Sequence, residues 1–480
     1  MQPIDLLIIS GYFLISLILG LRFQQKSSSA QEFFLAGRSL SWLPVGISIM
    51  ITAFSAINIT AFSGEVFAFG LYALLSLPVF YLVSIPVKRI VIPFYHNLNI
   101  TSAYEYLEIR FGPEVRRLAA VIFIIWRILW VATVVYVPAR ILSTITGISL
   151  TGFIVLVGGI ATLYTSWGGI RAVIWTDVMQ FFIMITGLAG AVVFVILNLP
   201  DGFHGIFSAS GSGNLLKPFA PFDPTIFSLD PRIRISFWSA LFGTFVAFLT
   251  RYSADQMIVQ RYLAARSIAQ AQKGFTLNYL SAIFSILLLA FLGLAIFAHF
   301  AQPGQFLQNA ALPIHYFTRF VNNLPVGVRG LMLTAIIAAS MSSFDSGIHS
   351  CSTILKTDLD FAPFFRFSPR TLVILLGFLI TLASVFIRNF GSIFEITNKL
   401  VNGFGTPLLA LFVMGKYSRQ SNRFGALYGG IFGLVFSSIT IFGIKNLALH
   451  YYAVVNFAAT ISFIWLLSRL GNKVHLSLSK

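Results

Sequence analysis

Residues 331–350 read LMLTAIIAASMSSFDSGIHS. The run begins as apolar as membrane lipid requires, then takes on serines and a carboxylate without breaking off. A helix needs about 20 apolar residues to cross roughly 30 Å of hydrocarbon, and stretches of that length recur along nearly all of the 480 residues. Hydrophobic residues make up 57% of the chain and charged residues 10%, where an ordinary soluble domain carries roughly 25% charged. The composition implies an integral membrane protein. The short alternating segments of a transmembrane barrel are missing, so the spans are read as helices.

Thirteen candidate spans follow one another, near 4–21, 42–68, 71–95, 118–142, 150–167, 172–198, 235–258, 270–301, 327–355, 370–388, 392–415, 422–445 and 450–469. The first has no Lys or Arg before it and no small-residue cleavage site after it, so it is read as a retained span rather than a signal peptide. The formal charge of +17 sits in short connections rather than in one block. That argues against nucleic acid as a partner and for topology. With the N-terminus outside, one side collects Arg22, Lys26, Arg38, Lys88, Arg89, Arg110, Arg116, Arg117, Arg261, Arg266, Lys273 and the basic residues after the ninth, eleventh and last spans. The positive-inside tendency makes that side cytoplasmic. The connection at 201–234, rich in Gly, Ser, Phe and Pro, is expected to cap the outer face. The single cysteine, Cys351, excludes an internal disulfide, and no GxxxxGK[ST] loop is present to hold ATP.

On a helix, Ala339, Ser342, Ser343 and Ser346 share one stripe, and Ser342, Asp345, Ser346 and His349 make a second beside it. A lone serine in a membrane helix commonly bonds to the carbonyl four residues back or allows close packing. Serines grouped with an aspartate point further, because an ionisable group at membrane depth costs at least about 2.5–3.5 kcal/mol and is usually paired, protonated or bound to a cation. Hydroxyl and carbonyl oxygens suit a hard monovalent cation such as sodium, and no His or Cys cluster favours a transition metal. His349 is read as a packed residue. The partner segment is GISIMITAFSAINITAFSGEVFAFG at 46–70, whose hydroxyls, Asn58 and small residues make a poor continuous helix for lipid. Irregular backbone at membrane depth lines cavities, and in secondary transporters it offers carbonyls to ions. A third segment, SWGGIRAVIWTDVMQFF at 166–182, places Asp177 about two turns beyond Arg171, either as its ion-pair partner or as a second cation ligand.

These residues carry a resemblance. The segments FFLAGRSLSWLPVGIS (33–48), NITSAYEYLEIRFG (99–112), YTSWGGIRAVIWTDVMQ (164–180), DQMIVQRYLAARS (255–267), AASMSSFDSGIHS (338–350) and GTPLLALFVMGKY (405–417) are similar to the sodium:solute symporter family, carriers of sugars, sialic acids, monocarboxylates, vitamins, iodide and proline. The resemblance implies an all-α membrane fold with a leucine-transporter-like inverted repeat of five plus five helices. A peripheral first helix and connection would occupy 1–40, the repeats 41–200 and 235–416 with the loop 201–234 between them, and two peripheral helices and a tail 417–480. It also implies a main sodium site made by the carbonyls of Ile51, Phe54 and Ala339 and the hydroxyls of Ser342 and Ser343. A second sodium would sit at Asp177, Ser342, Asp345 and Ser346. Relatives commonly have Ser or Thr where this chain has Asp345, and two carboxylates facing one small site cannot both stay ionised cheaply without a cation between them. Proton coupling through Asp177 and Asp345 therefore stands beside the second sodium.

For the solute, the resemblance places Ser55, Asn58, Trp130 and Asn398 around the pocket. Trp130 stands where a sialic-acid-type relative has the arginine that holds the carboxylate, and Leu77 where it has a glutamine, which argues against strict sialic acid specificity. Arg127 or Arg251 could hold an anionic group instead, or be snorkelling or paired structurally. The expected function is sodium-driven symport of a small polar organic solute (a sugar, sialic acid, monocarboxylate or vitamin-like molecule) into the cell across the plasma membrane, with the C-terminus in the cytoplasm. A transport-derived sensor or a channel is the alternative from another class. An enzyme is not expected: Asp177 with Asp345 is the one candidate carboxylate pair, and it lacks the glycine-flanked aspartate of an intramembrane protease.

Overall fold

Side chains of Ser149, Asp255, Ser267, Ser368 and Asn422 each accept a main-chain N–H two or three residues further on, and such caps mark where the apolar runs become separate helices. The computed structural model describes all residues except 1, 25–28, 200, 213–223, 231, 234, 302–312, 360–366, 388–392, 445–446, 449 and 479–480, and, for side chains, except also 224–225, 393–402 and 473–478. The helices that matter below are α1 (Pro3–Arg22), α2 (Trp42–Ala53), α3 (Ser63–Phe69), α4 (Pro113–Thr146), α5 (Leu150–Asn198), α6 (Gly202–Ser212), α7 (Thr244–Ala254), α8 (Gln256–Ala264), α9 (Ile268–Phe300), α10 (Val328–Thr357), α11 (Pro369–Phe386), α12 (Ile393–Tyr417), α13 (Arg423–Gly443) and α14 (Tyr451–Leu478).

The stretch at 331–350 lies within α10, and this helix is the hub of the bundle. It packs against α5, α4, α1, α11 and α2, so 94% of its most apolar window is buried. Serines are tolerated on every side of it because protein, not lipid, surrounds it. Close approach of backbones holds the neighbouring pair α2 and α9: a Cβ on Gly46 would stand 2.4 Å from the Gly274 carbonyl oxygen. Gly169 interrupts α5 with φ 56° and ψ −152°, a conformation reserved for glycine, where a Cβ would also meet the Phe33 carbonyl oxygen at 2.7 Å.

Two helices at the centre are broken. After α2, Phe54 is extended (φ −112°, ψ 98°), a π-helical turn covers Asn58–Phe62, and the chain continues as α3 after a bend of 63°. This is the irregular backbone expected from 46–70. The seventh candidate span, 235–258, is also interrupted rather than continuous: α7 ends at Ala254, Asp255 is extended (φ −91°, ψ 113°), and its carboxylate caps α8 through the Met257 N–H at 3.0 Å.

Among the described residues, nine helices are long and apolar enough to cross a membrane, ten with the bent pair, against thirteen expected. The difference lies in α5, whose 49 residues cover two of the expected spans, in the broken pair α7 and α8, and in α12. The protein is a multi-pass, all-helical membrane protein. Within 201–234, α6 packs on α9.

The polar ends are tied by specific contacts. Leu40 donates to the Ala264 carbonyl (3.1 Å) and Arg266 to the Leu40 carbonyl (3.0 Å). Arg116 ion-pairs with Asp358 at 2.7 Å and with Glu108. Two sequence expectations need correction. Arg261 is not a solvated connection charge but is wholly buried, and Asp177 pairs with Arg261 (3.0 Å) while Arg171 pairs with Glu32 (2.9 Å). The sequence spacing of Arg171 and Asp177 suggested otherwise because only the fold brings α8 beside α5.

Candidate functional site

Helical spacing puts the hydroxyls of Ser342 and Ser343 on adjacent edges of α10, and the fold brings both to the broken end of α2. Ser342 Oγ donates to the carbonyls of Ile51 (3.2 Å) and Ala339 (3.1 Å), and Ser343 Oγ lies at 3.4 Å from the Thr52 carbonyl and 3.5 Å from that of Ala339. Four of the five expected main-site residues thus converge: Ile51, Ala339, Ser342 and Ser343. Phe54 stands at the break with its N–H on the Ile51 carbonyl (3.1 Å), but the carbonyl that Ser343 meets is that of Thr52, a residue the sequence reading did not assign there. The grouped oxygens are buried and uncharged. Such a set fits a hard monovalent cation and offers nothing to a transition metal, and no His, Cys, Asp and Glu cluster suited to a metal exists among the described residues.

One turn further along α10 the chemistry becomes ionic. Asp177 Oδ2 accepts from Ser48 Oγ (2.5 Å), Thr52 Oγ1 (3.4 Å) and Arg261 Nη2 (3.0 Å). Arg261 also donates to Ser48 Oγ (2.6 Å) and to Ser346 Oγ. Asp345 Oδ2 accepts from the Tyr164 hydroxyl (2.6 Å) and Oδ1 from Ser346 Oγ (3.2 Å). Behind it, Gln180 Nε2 reaches the hydroxyls of Tyr12 (3.1 Å) and Tyr164 (3.4 Å). Thr52 Oγ1 and Ser346 Oγ are 3.0 Å apart. Asp177, Ser346 and Asp345 are therefore linked through Arg261 and Thr52, with Arg261 as a member that sequence alone did not suggest, while the Ser342 hydroxyl is turned to the Ile51 and Ala339 carbonyls. Two carboxylates and one guanidinium, all buried, sum to −1 when both carboxylates are ionised. Asp177 Oδ1 has no hydrogen-bond partner among the described residues, an expensive state for a buried carboxylate oxygen.

The expected solute residues divide. Ser55 and Asn58 bond to each other at the break, the Asn58 side-chain oxygen accepting from Ser55 N (3.0 Å) and Oγ (3.2 Å). Trp130 lines a small cavity with Thr52, Ala53, Trp126, Arg127 and Arg251. The side chain of Asn398 lies outside the described residues. Arg127 is buried and ion-paired with Asp255, and its guanidinium lies over the rings of Trp126 (3.9 Å) and Trp130 (4.9 Å). His349 is packed as expected, stacked on Phe33 and bonded to its carbonyl at 3.1 Å.

Broken helices that face one another at membrane depth, with an oxygen cage at one break and a cavity beside it, define a secondary transporter. A profile of the "Sodium:solute symporter family" matches residues 33–433: the chain belongs to that family. It is similar to the sodium-coupled monocarboxylate transporter 1 of Mus musculus, 28% identical over 449 residues, covering 90% of this chain and 72% of the relative. Similarity extends to the sodium-dependent multivitamin transporter of Oryctolagus cuniculus (30% identical; 90% and 69% covered) and the sodium/iodide cotransporter of Homo sapiens (29%; 85% and 64%). Among solved structures, a substrate-bound, outward-open Na+-coupled sialic acid symporter shares the fold with a TM-score of 0.87 over 98% of both chains at 23% identity. The protein is a sodium-driven symporter of small organic solutes, with Na+ as coupling ion, and not an enzyme.

Proposed function

We propose that the chain couples inward movement of a small polar organic solute of monocarboxylate or vitamin type to sodium bound at two sites. The main sodium sits among Ile51, Phe54, Ala339, Ser342 and Ser343. The observation that carries this is the meeting of the Ser342 and Ser343 hydroxyls with main-chain carbonyls where α2 breaks. A second sodium lies among Asp177, Ser342, Asp345 and Ser346. The unpartnered Asp177 Oδ1 and the residual charge of −1 both favour a monovalent cation there. The solute is held near the midplane beside Trp130, Ser55 and Asn58, with Asn398 completing the lining. The names of the relatives favour this solute class.

The repeats run over 41–200 and 235–416, flanked by peripheral segments at 1–40 and 417–480 and joined by 201–234; the breaks after Ala53 and Ala254 are then equivalent points of the two halves, as inverted repeats require. The chain lies in the plasma membrane with its N-terminus outside and its C-terminus in the cytoplasm, in keeping with the Lys and Arg asymmetry. Sodium binding favours the arrangement in which solute binds better, and reciprocal coupling of 1–3 kcal/mol changes solute affinity about 5–150-fold. Uptake into proteoliposomes, with and without a sodium gradient, across sugars, monocarboxylates and vitamins tests the reading. Sodium-dependent uptake is expected, and the Ser342→Ala, Ser343→Ala double variant should lose it; a normal sodium response in that variant counts against the site.

A further inference from the structure

We infer that the cavity between the two helix breaks seats the carboxylate of a small organic anion, with Arg251 as its counter-charge and Arg127 and Trp126 as flanking donors. This rests on the sodium-symport reading above and narrows its solute. The cavity takes Thr52 and Ala53 from the end of α2, Trp126, Arg127 and Trp130 from α4, and Arg251 from the last turn of α7, with Asp255 at the second break.

Its charges do not cancel. Of the lining residues, Arg127 and Arg251 are cationic and Asp255 alone is anionic, which leaves +1. Asp255 is already satisfied, ion-paired with Arg127 and capping α8 through the Met257 N–H. Arg251 is half-buried, its polar contact is a long one to the Ala53 carbonyl (3.4 Å), and its guanidinium lies 5.7 Å from the Phe248 ring. A guanidinium at membrane depth is costly without a partner. Donors are also in surplus, because Arg127 Nε and Trp126 Nε1 are buried and have no acceptor among the described residues.

A ligand that completes such a site must bring acceptors without donors and one negative charge. A carboxylate does so. A neutral sugar brings a donor with every acceptor and leaves the charge unbalanced. Where they line the cavity, Trp126 and Trp130 give a short carbon chain an apolar flank. The cavity's volume is about 10 Å³, the space of a water or one carboxylate oxygen. The body of the solute therefore occupies space that opens at another stage of the cycle. The anion lies across the Thr52–Ala53 segment from the main sodium site, so each charge raises the affinity for the other.

The test is sodium-driven uptake of radiolabelled pyruvate, propionate and nicotinate into proteoliposomes, with glucose as a neutral comparison and propionamide and nicotinamide as neutral isosteres in competition. Wild-type protein should take up at least one carboxylate, and the matching amide should compete at least about tenfold more weakly, since charge-assisted hydrogen bonds are the stronger class. Arg251→Gln should raise KM for the carboxylate by about tenfold or more and erase the preference over the amide. Arg251→Lys should recover part of both, and added sodium should still stabilise either variant against thermal unfolding. Sodium-driven uptake confined to glucose, equal competition by acid and amide, or an Arg251→Gln variant that keeps wild-type KM and preference would overturn the inference and leave sodium symport standing. Absence of sodium-dependent uptake for every solute would instead overturn the transport reading itself and this inference with it.

Discussion

Replacing Asp345 by Asn removes a charge from the ionic cluster while conserving its hydrogen bonds. The amide oxygen still accepts from the Tyr164 hydroxyl, and the amide nitrogen can donate to Ser346 Oγ, which Asp345 now meets at 2.6 Å and 3.2 Å respectively. With both carboxylates ionised, the charges of Asp177, Asp345 and Arg261 sum to −1 in a region sealed from solvent, and one sodium ion brings that to zero. A charge pair about 5 Å apart in an effective dielectric of about 20 is worth about 3 kcal/mol. Relaxation of Arg261 toward its other partners returns part of this, so sodium affinity should fall about tenfold to a hundredfold. Uptake measured across sodium concentrations should show the half-saturating concentration rising by that factor and the Hill coefficient dropping from about two toward one. Without sodium, the variant should unfold at a higher temperature than wild type, because the unbalanced buried charge has gone. Unchanged half-saturation and Hill coefficient would refute the placement of a sodium beside Asp345. A pH dependence of uptake abolished by the substitution, with sodium affinity intact, would reassign the carboxylate to a proton.

Other consequences are as direct. Arg261→Gln strands Asp177 without its guanidinium and should cost about 3–5 kcal/mol, read as a lower unfolding temperature in detergent; adding Asp177→Asn should restore most of the loss, and failure to do so would mean that the pair is not what Arg261 stabilises. Gly46→Ala forces a Cβ to within 2.4 Å of the Gly274 carbonyl, so α2 and α9 must part, at about 1–3 kcal/mol; a thermal unfolding curve matching wild type would show that the two helices yield freely. Asp255→Asn leaves Arg127 buried without a counter-ion, which should lower stability in buffer and enlarge the stabilisation given by added pyruvate; equal ligand-induced shifts in variant and wild type would disconnect this pair from the cavity.

The parts of the fold legible in the sequence are those governed by local pattern. Apolar run length marked the helices, and the mixture of Asn58, hydroxyls and small residues in 46–70 marked the broken one. The stripe of Ala339, Ser342, Ser343 and Ser346 follows from helical spacing, but its meeting with the break is expected only from the family resemblance and from the irregular composition of 46–70; Ser342 and Ser343 do reach carbonyls there. What escaped was contact between segments far apart in the chain. Arg261 looked like any basic residue beside an apolar run, and nothing local distinguishes a snorkelling arginine from one buried against Asp177, 84 residues away. The break at Asp255 escaped because 244–264 contains no Gly or Pro to mark an interruption, and its polar residues are compatible with an unbroken helix. Its signal was present but weak: an aspartate two residues before a main-chain N–H it caps.

On the placement of sodium and solute proposed above, Thr52 explains how the sites sense each other. Its carbonyl faces Ser343 (3.4 Å), its hydroxyl touches Asp177 (3.4 Å) and Ser346 (3.0 Å) in the ionic cluster, and the residue also lines the cavity beside Arg251. The three proposed binding regions thus share one residue at the last turn of a broken helix, where the backbone has no continuous hydrogen-bond ladder to hold it. A cation that draws the Ile51 and Thr52 carbonyls toward α10 must also move the wall of the cavity, because Ala53 and Phe54 follow without an intervening flexible link. Coupling here needs no long pathway. It is set by the few ångströms that one peptide segment can shift between α10 on one side and α4 with α7 on the other, and each ligand biases that same shift.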